Sequence, residues 1–158
     1  MAESGLRRVE AALAAAGLDG RIRELPASTR TAPEAAAAVG CTVAEIVKSL
    51  VFRSATGEPV LVLASGANRV DEARLAAVLG EPVAKADAAF VRARTGYAIG
   101  GVPPTAHPAP IRTVIDADLV HHAQLWAAAG TPKAVFRITH AELVRLTGGE
   151  VAAVAAHS

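Results

Sequence analysis

Two apolar runs, Lys48-Ser-Leu-Val-Phe-Arg53 and Pro59-Val-Leu-Val-Leu-Ala64, decide the fold of this chain. Both are rich in the branched and aromatic residues that strands favour, and Ala55-Thr-Gly-Glu58 between them has the composition of a turn. The pattern therefore predicts an antiparallel hairpin. Because side chains alternate along a strand, every second residue from Lys48 onward should share one face. The sequence thus places an ammonium group beside a face that is otherwise apolar.

Helix and strand signals alternate on both sides of the hairpin. Apolar residues recur at helical spacing, capping residues precede them, and glycines follow them. These signals predict helices over residues 3–16, 31–40, 71–79, 87–94 and 141–146. Strand-like runs cover residues 21–25, 83–85, 111–115, 122–128, 134–138 and 151–154, of which the last should be an exposed edge. The mixture predicts an α+β domain with a mixed sheet, and not a regular βαβ repeat.

Length and composition argue against several classes of protein. At 158 residues, the chain is expected to form one domain over residues 1–158. Aromatic residues make up 3% and the net charge is +1, which disfavours a stacking platform for single strands and binding of long duplexes. The start lacks an apolar signal segment, and no apolar run reaches the ~20 residues that span a bilayer. With a single cysteine and therefore no internal disulfide, a reducing cytoplasm is expected.

The Gly/Pro-rich segment Gly96-Tyr-Ala-Ile-Gly-Gly-Val-Pro-Pro-Thr-Ala-His-Pro108 is a second region of interest. Glycine admits backbone angles closed to other residues and proline fixes φ, so the segment should be a rigid loop. Its backbone N–H groups from Gly100 onward could stabilise a developing oxyanion, and His107 could act as a base or donate to a substrate. A purely structural turn is the alternative reading of both features.

Lys48 could bind a phosphate or an ester carbonyl as a compact positive charge. The alternative is a lysine whose stem lies along the strand edge while its head group reaches water. No activated nucleophile is indicated, because the chain has no Gly-x-Ser-x-Gly elbow and Cys41 has no evident histidine partner.

Other polar clusters give weaker signals. Ser65-Gly-Ala-Asn68, between a strand and a helix, could bind an anion at the helix entry or could be a plain loop. Asp116 and Asp118 fit turn and helix capping better than a pair of catalytic carboxylates. His121 and His122 are adjacent and lack the spacing of metal ligands, so no metal site is predicted.

A set of ordered segments carries a family resemblance: Cys41-Thr-Val-Ala-Glu-Ile-Val-Lys48-Ser-Leu, Val60-Leu-Val-Leu-Ala-Ser65-Gly66, Asn68-Arg-Val-Asp71, Leu75, Leu79-Gly80, Thr95-Gly-Tyr97, Gly100-Gly-Val-Pro-Pro104, His107, Asp116, Ala129-Gly130 and Leu143. Taken in order, they resemble the YbaK family, also called the prolyl-tRNA synthetase-associated or aminoacyl-tRNA editing domain. The resemblance rests on order and spacing over about residues 25–155, and no single motif is decisive.

The resemblance implies a compact domain with a twisted, mixed and partly barrel-like sheet flanked by helices. It implies hydrolysis of the ester that joins a wrong amino acid to tRNA, without a metal, a cofactor or a protein nucleophile. The expected partners are the 3′ end of a mischarged tRNA and, as a candidate, an aminoacyl-tRNA synthetase; a monomer and a homodimer both stay open. Water would be activated or oriented with help from the terminal hydroxyl of the tRNA.

The same resemblance assigns roles to individual residues. Lys48 matches the family's essential lysine and, with Gly101, is the expected catalytic set. The expected substrate-binding residues are Ser65, Asn68, Gly100, Val102, Pro103, Pro104, His107, Asp116 and Gly130. These roles require that Lys48 and the Gly100–Val102 backbone face each other across a cleft.

Two positions depart from the family's pattern. Thr105 and Ala106 stand where many relatives have a glycine before the histidine, and Ala128 stands where a serine often precedes Ala-Gly. The amino acid removed is therefore left open among small residues such as alanine and cysteine. The leading hypothesis is a free-standing trans-editing deacylase. The alternatives are a non-catalytic module that binds a tRNA end, a nucleotide or a protein, and a hydrolase of small esters.

Overall fold

The computed structural model describes residues 4–26 and 31–156. Five α-helices form within these residues: α1 (Gly5–Ala15), α2 (Ala32–Val39), α3 (Glu72–Leu79), α4 (Ala88–Thr95) and α5 (His140–Thr147). The eight strands are β1 (Ile22–Glu24), β2 (Ile46–Ser54), β3 (Pro59–Ser65), β4 (Val83–Lys85), β5 (Arg112–Asp116), β6 (Leu125–Ala128), β7 (Ala134–Ile138) and β8 (Glu150–Ala152). The predicted α+β class is confirmed; the predicted helix start at Glu3 lies outside the described residues.

Local capping chemistry sets the helix ends. Side chains of Ser4, Thr31, Asp71, Asp87 and Thr139 accept hydrogen bonds from backbone N–H groups of the first turns. These bonds satisfy donors that a helix start leaves without an intrahelical partner. Four of the helices end at a glycine with positive φ, namely Gly40, Gly80, Gly96 and Gly148. The predicted helices therefore end where the sequence places these glycines.

The eight strands form one mixed sheet in the order β1-β7-β6-β2-β3-β5-β8, and β4 pairs with β2 outside this order. The predicted β2–β3 hairpin is antiparallel and runs from Val47 opposite Ser65 to Arg53 opposite Pro59. β5 lies parallel to β3, β6 lies parallel to β2, and β8 lies parallel to β5 at one edge. The predicted edge strand near the C terminus is thus confirmed.

One predicted strand is shorter than expected. The run 122–128 forms a strand only from Leu125, because Ala117–His121 forms a 3₁₀ turn that ends at His122. The Asp116 side chain starts this turn by accepting a hydrogen bond from the Asp118 N–H. The capping role that the sequence indicated for Asp116 therefore shortens the following strand.

Both faces of the hairpin are covered by apolar side chains. On one face, Val47, Val51, Leu61 and Leu63 belong to the main cluster, which also takes buried residues from α1, α4 and α5. On the other face, Phe52, Val60 and Val62 pack with Leu75 and Leu79 of α3. A hairpin buried on both faces is a rigid support for any group at its edge.

β2 has two different neighbours along its second edge. β6 pairs with it only at Ile46 and Val47, and β4 pairs with it only from Phe52 to Ser54. Ala86, directly after β4, donates its N–H to the Val51 carbonyl. Among the described residues, 48–50 therefore have a backbone partner on the β3 side alone. We call this segment the open edge of β2.

Candidate active site

A cleft lies along the open edge of β2 and consists of two adjoining chambers of about 330 and 360 Å³. Both chambers are lined by Lys48, Ser49 and Leu50 from β2 and by Ile99 and Val102 from the Gly/Pro-rich segment. The split between β6 and β4 thus creates the cleft, and the segment closes its opposite side. Lys48 and Gly100 line the same chamber, so the structure brings together the two regions that the sequence analysis singled out.

The first chamber is walled mainly by small and aliphatic side chains. They come from the start of α2, from β2, from β6 and from β7, and they comprise Ala32, Pro33, Ala35, Ile46, Val47, Ala127, Ala128 and Val135, with Trp126 beside them. Lys48 is the only ionisable residue among the described lining residues of this chamber. Such a wall suits a small apolar group carried next to a polar bond.

The second chamber is more polar. It extends from Lys48 toward Arg69, Glu72 and Lys85, and Phe52, Val70, Ala86 and Val91 supply its apolar surface. The two chambers therefore differ in chemistry although they share one edge of β2.

Lys48 is half-buried, and its Nζ donates a hydrogen bond to the carbonyl oxygen of Asn68 at 2.5 Å. Burial lowers the pKa of the Lys48 ammonium, and the nearby carboxylate of Asp116 opposes this shift. An ammonium group has three N–H donors, so two remain after the bond to Asn68. Lys48 can therefore hold a second acceptor without leaving its position.

A polar network behind Lys48 fixes the loop that holds it. The Asn68 side-chain amide donates to the carboxylates of Asp116 at 2.8 Å and Asp118 at 2.9 Å. The N–H of Ser65 also donates to Asp116, whose side chain is only 1% exposed, and the Ser65 hydroxyl donates to the Ala44 carbonyl. Ser65 and Asn68 are thus both bonded to Asp116, Asn68 alone is hydrogen-bonded to Lys48, and none of the three lines the cleft. Their substrate contacts stay a prediction.

The Gly/Pro-rich segment presents its backbone to the cleft unevenly. The N–H of Gly101 donates to the carbonyl of Ala98 at 2.9 Å, which closes a turn around Ile99 and Gly100. No acceptor within the described residues receives the N–H of Gly100 or of Val102, and both residues line the first chamber. Among the described residues, the Gly100 and Val102 amides thus have no hydrogen-bond acceptor, whereas the Gly101 amide is bonded within the turn.

Ser49 was not singled out by the sequence analysis. Its hydroxyl oxygen is buried and has no hydrogen-bond partner in the described part of the chain, although the residue lines both chambers. The Gly66 N–H donates to the Ile46 carbonyl, and bonds in an antiparallel ladder alternate, so the backbone groups of Ser49 face the open edge. The sequence signal that could have identified Ser49 is a hydroxyl inside an apolar strand. It was passed over because side chains alternate along a strand, which puts Ser49 on the face opposite Lys48.

The second half of the segment lies away from this cleft. The His107 Nε2 is 2.9 Å from the carbonyl oxygen of Pro103, and its ring contacts the edge of Tyr97. Tyr97 in turn donates from its hydroxyl to the Ala106 carbonyl at 2.7 Å. His107 and Pro104 line a separate surface depression near the end of α5. Burial lowers the pKa of His107, which keeps its ring neutral in this packing.

The remaining predicted site residues have structural contacts. Pro103 is buried and accepts the contact from His107, and it lines neither chamber. Gly130 has φ +93° and lies so close to Gly5 that an added Cβ would be 2.6 Å from the Gly5 carbonyl oxygen. Ala128, one of the two departures from the family pattern, lines the first chamber. Substrate contacts of Pro103, Pro104, His107 and Gly130 stay predictions.

Within residues 4–26 and 31–156, no three side chains of His, Cys, Asp or Glu come together as a metal-binding group. In the same residues, no helix has the length and apolar character to cross a membrane.

Comparisons with known proteins agree with this architecture. The family model of the aminoacyl-tRNA editing domain matches residues 26–146. A solved structure described provisionally as a trans-editing enzyme for prolyl tRNA synthetase is 46% identical, with a TM-score of 0.91 and coverage of 99% of this chain and 100% of that chain. The hypothetical protein APE2540 is 36% identical, with a TM-score of 0.89 and coverage of 94% and 99%. The uncharacterized protein YwhH of Bacillus subtilis (strain 168) is 25% identical over 130 residues, which span 82% of this chain and 83% of YwhH.

Proposed function

The chain belongs to the aminoacyl-tRNA editing domain family, and from that premise we propose that it is a trans-acting deacylase that hydrolyses the ester bond of mischarged tRNA. The observation that supports this most is the first chamber, which is lined by a half-buried lysine and by Gly100 and Val102, whose N–H groups have no acceptor among the described residues. A cation and fixed N–H donors stabilise the transition state of ester hydrolysis, in which negative charge develops on the carbonyl oxygen.

The reaction begins with attack of water on the carbonyl carbon of the aminoacyl ester. A bond forms from the water oxygen to this carbon, and the carbonyl electrons move onto the carbonyl oxygen. In our proposal, the N–H groups of Gly100 and Val102 stabilise that oxyanion. The ester C–O bond then breaks, the ribose oxygen takes up the proton lost by water, and the free amino acid and the tRNA are released.

Lys48 supplies the positive charge at the ribose side of the ester. One of its N–H groups is held by the Asn68 carbonyl, and the two others can bind the ribose hydroxyl or a nearby phosphate oxygen. Asn68, Asp116 and Ser65 act as positioning residues, because their bonds hold the loop that fixes Lys48. A rigid cation loses little free energy to reorganisation during the reaction.

None of the described residues that line the first chamber supplies a carboxylate or histidine base. The only ionisable side chain among its described lining residues is Lys48, which the neighbouring Asp116 helps to keep charged. In our proposal, the proton of the attacking water is therefore relayed by the neighbouring ribose hydroxyl of the substrate. This step predicts that an aminoacyl-tRNA lacking that hydroxyl is hydrolysed much more slowly.

The aminoacyl side chain is proposed to be small. The described wall of the first chamber consists mainly of alanines, Pro33 and aliphatic residues. A methylene more or less in such a pocket changes the binding free energy by only ~1–3 kcal/mol, which is the range in which separate editing is needed. The near-neutral net charge of the protein favours contact with only the 3′ end of the tRNA. We place this reaction in the cytoplasm, where a synthetase could present the tRNA.

The decisive experiment compares Lys48→Met with Lys133→Met in deacylation of a panel of mischarged tRNAs. Methionine keeps the stem volume of lysine and removes the charge, so folding should be little affected. We expect kcat/KM of Lys48→Met to fall by about 100-fold or more, and that of Lys133→Met, an exposed lysine outside the cleft, to stay within twofold.

Two outcomes would reject the proposal. One is that the wild-type protein hydrolyses no mischarged tRNA of the panel while it still binds the tRNA end, which would favour a non-catalytic binding module. The other is equal hydrolysis of free aminoacyl esters and aminoacyl-tRNA, which would favour a small-ester hydrolase.

A further inference from the structure

Helix α1 packs against the Gly/Pro-rich segment at two places, although the proposed hydrolysis assigns this helix no role. Val9 and Leu13 of α1 are buried in the main cluster, which fixes the helix against the core. The helix also lies before residue 26, where the match to the family model begins. The contacts of α1 with the segment therefore need an explanation of their own.

Arg8 of α1 makes the first contact, at the start of the segment. Its guanidinium lies 4.8 Å from the centre of the buried Tyr97 ring, and its Nη2 donates a hydrogen bond to the Gly96 carbonyl oxygen at 3.4 Å. Its Nε is buried and has no acceptor within residues 4–26 and 31–156. Since a buried N–H without an acceptor costs free energy, hydrogen bonding alone does not explain where the guanidinium lies. Together, the cation–π contact and the bond to Gly96 anchor the start of the segment.

The second contact runs through the turn that follows β6. Gly5, in the first turn of α1, lies so close to Gly130 that an added Cβ would be 2.5 Å from the Gly130 carbonyl oxygen. Thr131, the next residue of that turn, lies against the segment, because a Cβ on Gly101 would be 3.2 Å from the Thr131 Cα. The helix, the turn and the segment thus touch through their backbones, where the absence of a Cβ permits the close approach.

These two contacts hold the part of the segment that faces the cleft. Gly100 and Val102 flank Gly101 in the chain and line the first chamber, and the bond from the Gly101 N–H to the Ala98 carbonyl makes this part a closed turn. A closed turn that is held at Tyr97 and at Gly101 keeps its N–H groups in place before the substrate arrives. Donors stabilise a developing charge best when they are fixed in advance, and a displacement of about 1 Å can reduce the rate by about 100-fold.

We propose that α1 positions the Gly100 and Val102 amides for the reaction and that Arg8 is its main positioning residue. Arg8 acts through the start of the segment, and Gly5 acts through the turn after β6. Neither residue lines the cleft. This inference rests on the proposed function, because it concerns the amides that would stabilise the oxyanion.

The first test compares the deacylation kinetics of Arg8→Met and Arg7→Met, with folding checked by urea unfolding. Methionine removes the charge and the N–H donors and keeps much of the stem. Arg7 is the matched control, since it is an exposed neighbour on α1 whose ion pair with Glu10 is 3.8 Å long. For Arg8→Met we expect kcat with mischarged tRNA to fall about 10-fold while KM stays within about twofold.

Two further results of this test bear on the proposal. Arg8→Lys keeps a cation near the Tyr97 ring and should recover kcat to within about threefold of wild type, whereas Arg7→Met should stay within about twofold in both kinetic constants. Equal kcat values for folded Arg8→Met and Arg7→Met, or a change in KM alone, would overturn the proposal.

The second test separates positioning from the stability of the helix. Gly5→Ala favours the helical conformation of α1 but places a methyl group against the Gly130 carbonyl, whereas Ala11→Gly weakens α1 at an exposed position. We expect kcat to fall about 10-fold in Gly5→Ala and to stay within about twofold in Ala11→Gly. A loss of kcat in Ala11→Gly with none in Gly5→Ala would show that helix stability controls the rate and would overturn the proposal.

The third test needs no turnover and therefore separates this inference from the proposed function. Backbone amide shifts are recorded for the wild-type protein, Arg8→Met and Arg7→Met without ligand. We expect the signals of residues 100 and 102 to shift in Arg8→Met alone, and those of residues 61–63 in β3 to stay in place in both variants. Changes confined to residues 96 and 97 would overturn the positioning role even if the wild-type protein is an active deacylase. If it hydrolyses no mischarged tRNA, the proposed function fails, and shifts at residues 100 and 102 would still support the positioning of these amides by α1.

Discussion

The two halves of the Gly/Pro-rich segment have similar compositions and different structural roles. In the first half, Gly100 and Val102 line the cleft and their N–H groups have no protein acceptor in the described residues. In the second half, the Ala106 carbonyl is held by the Tyr97 hydroxyl, and His107 packs on Pro103 and the Tyr97 ring. Glycine and proline content alone therefore does not identify a ligand-binding loop.

Tyr97, at the start of the segment, holds the second half in place. Its side chain is 2% exposed, the Arg8 guanidinium lies 4.8 Å from its ring centre, and its hydroxyl holds the second half of the segment. Gly100 and Val102 in the first half line the cleft beside β2, whereas the second half is bonded to the buried Tyr97. The comparison teaches that backbone groups already bonded within the protein serve stability, and that those left unbonded beside a cavity are the candidates for function.

Within the Gly/Pro-rich segment, the largest expected effect is on activity and comes from Gly100→Val. Gly100 has φ +92°, and a β-branched residue there would shift the turn that carries the Gly100 and Val102 amides. A displacement of about 1 Å can reduce the rate by about 100-fold, so kcat/KM for mischarged tRNA should fall by about that factor. Initial-rate deacylation measures it.

The control for this variant is Gly57→Val. Gly57 also has positive φ, at +83°, but lies in the β2–β3 turn outside the cleft. Both variants should lose about 1–3 kcal/mol of stability to backbone strain, whereas only Gly100→Val should lose activity. Equal loss of kcat/KM in the two variants would show that the first half acts through stability alone.

The second prediction concerns His107→Phe, which should affect stability and leave catalysis almost unchanged. Loss of the bond to the Pro103 carbonyl should cost about 1 kcal/mol at pH 8, with kcat/KM within about threefold of wild type. Urea unfolding and deacylation measure the two quantities. A large loss of kcat/KM in a variant that is still stable would contradict this and would support the substrate contact predicted for His107.

The same residue gives a pH dependence. Because burial lowers the pKa of His107 in the folded state from the ordinary value of 6.5, the unfolded chain binds its proton more readily. Wild-type stability should therefore be lost progressively as pH falls below about 6.5, and His107→Phe should lack this part of the loss. The stability difference between the two proteins should narrow from pH 8 to pH 5; a constant difference would contradict the buried, neutral histidine.

The smallest expected effect comes from Ala106→Gly. Ala106 has φ +67°, the only positive φ of a non-glycine residue in the described part of the chain. Glycine removes a strain of about 1–2 kcal/mol but makes the unfolded chain more flexible at a cost of about 0.5–1 kcal/mol. We expect a net gain of about 0.5 kcal/mol, measured as a rise of about 1–2 °C in Tm, with unchanged deacylation.

Ala109→Gly provides the matched control, since Ala109 is an exposed alanine directly after the segment without positive φ. It should lower Tm slightly, because it increases flexibility without relieving strain. Opposite signs for the two variants would show that Ala106 takes the backbone conformation of the glycine found in many relatives. A lower Tm in both would contradict this.

Much of the fold could be predicted from the sequence, because its signals are local. The capping side chains of Thr31, Asp71 and Thr139 lie within a few residues of the N–H groups they bind, and the glycines that end helices act on their own backbone. The hairpin followed from two strand-like runs joined by a short turn. Lys48 and the Gly/Pro-rich segment stood out from the residues themselves, and the resemblance assigned their roles.

The tertiary structure decided what these local signals could not. Whether the edge of β2 is open depends on where β6 and β4 end, and these strands come from residues 125–128 and 83–85. Three further features depend on which groups meet in three dimensions. They are the hydrogen bond from the Gly101 N–H to the Ala98 carbonyl, the buried hydroxyl of Ser49 and the packing of His107 on Tyr97. The sequence by itself determined the elements and the candidate lysine. Only the packing of distant strands determined which backbone groups are left without partners, because hydrogen bonds are assigned by proximity in space and not along the chain.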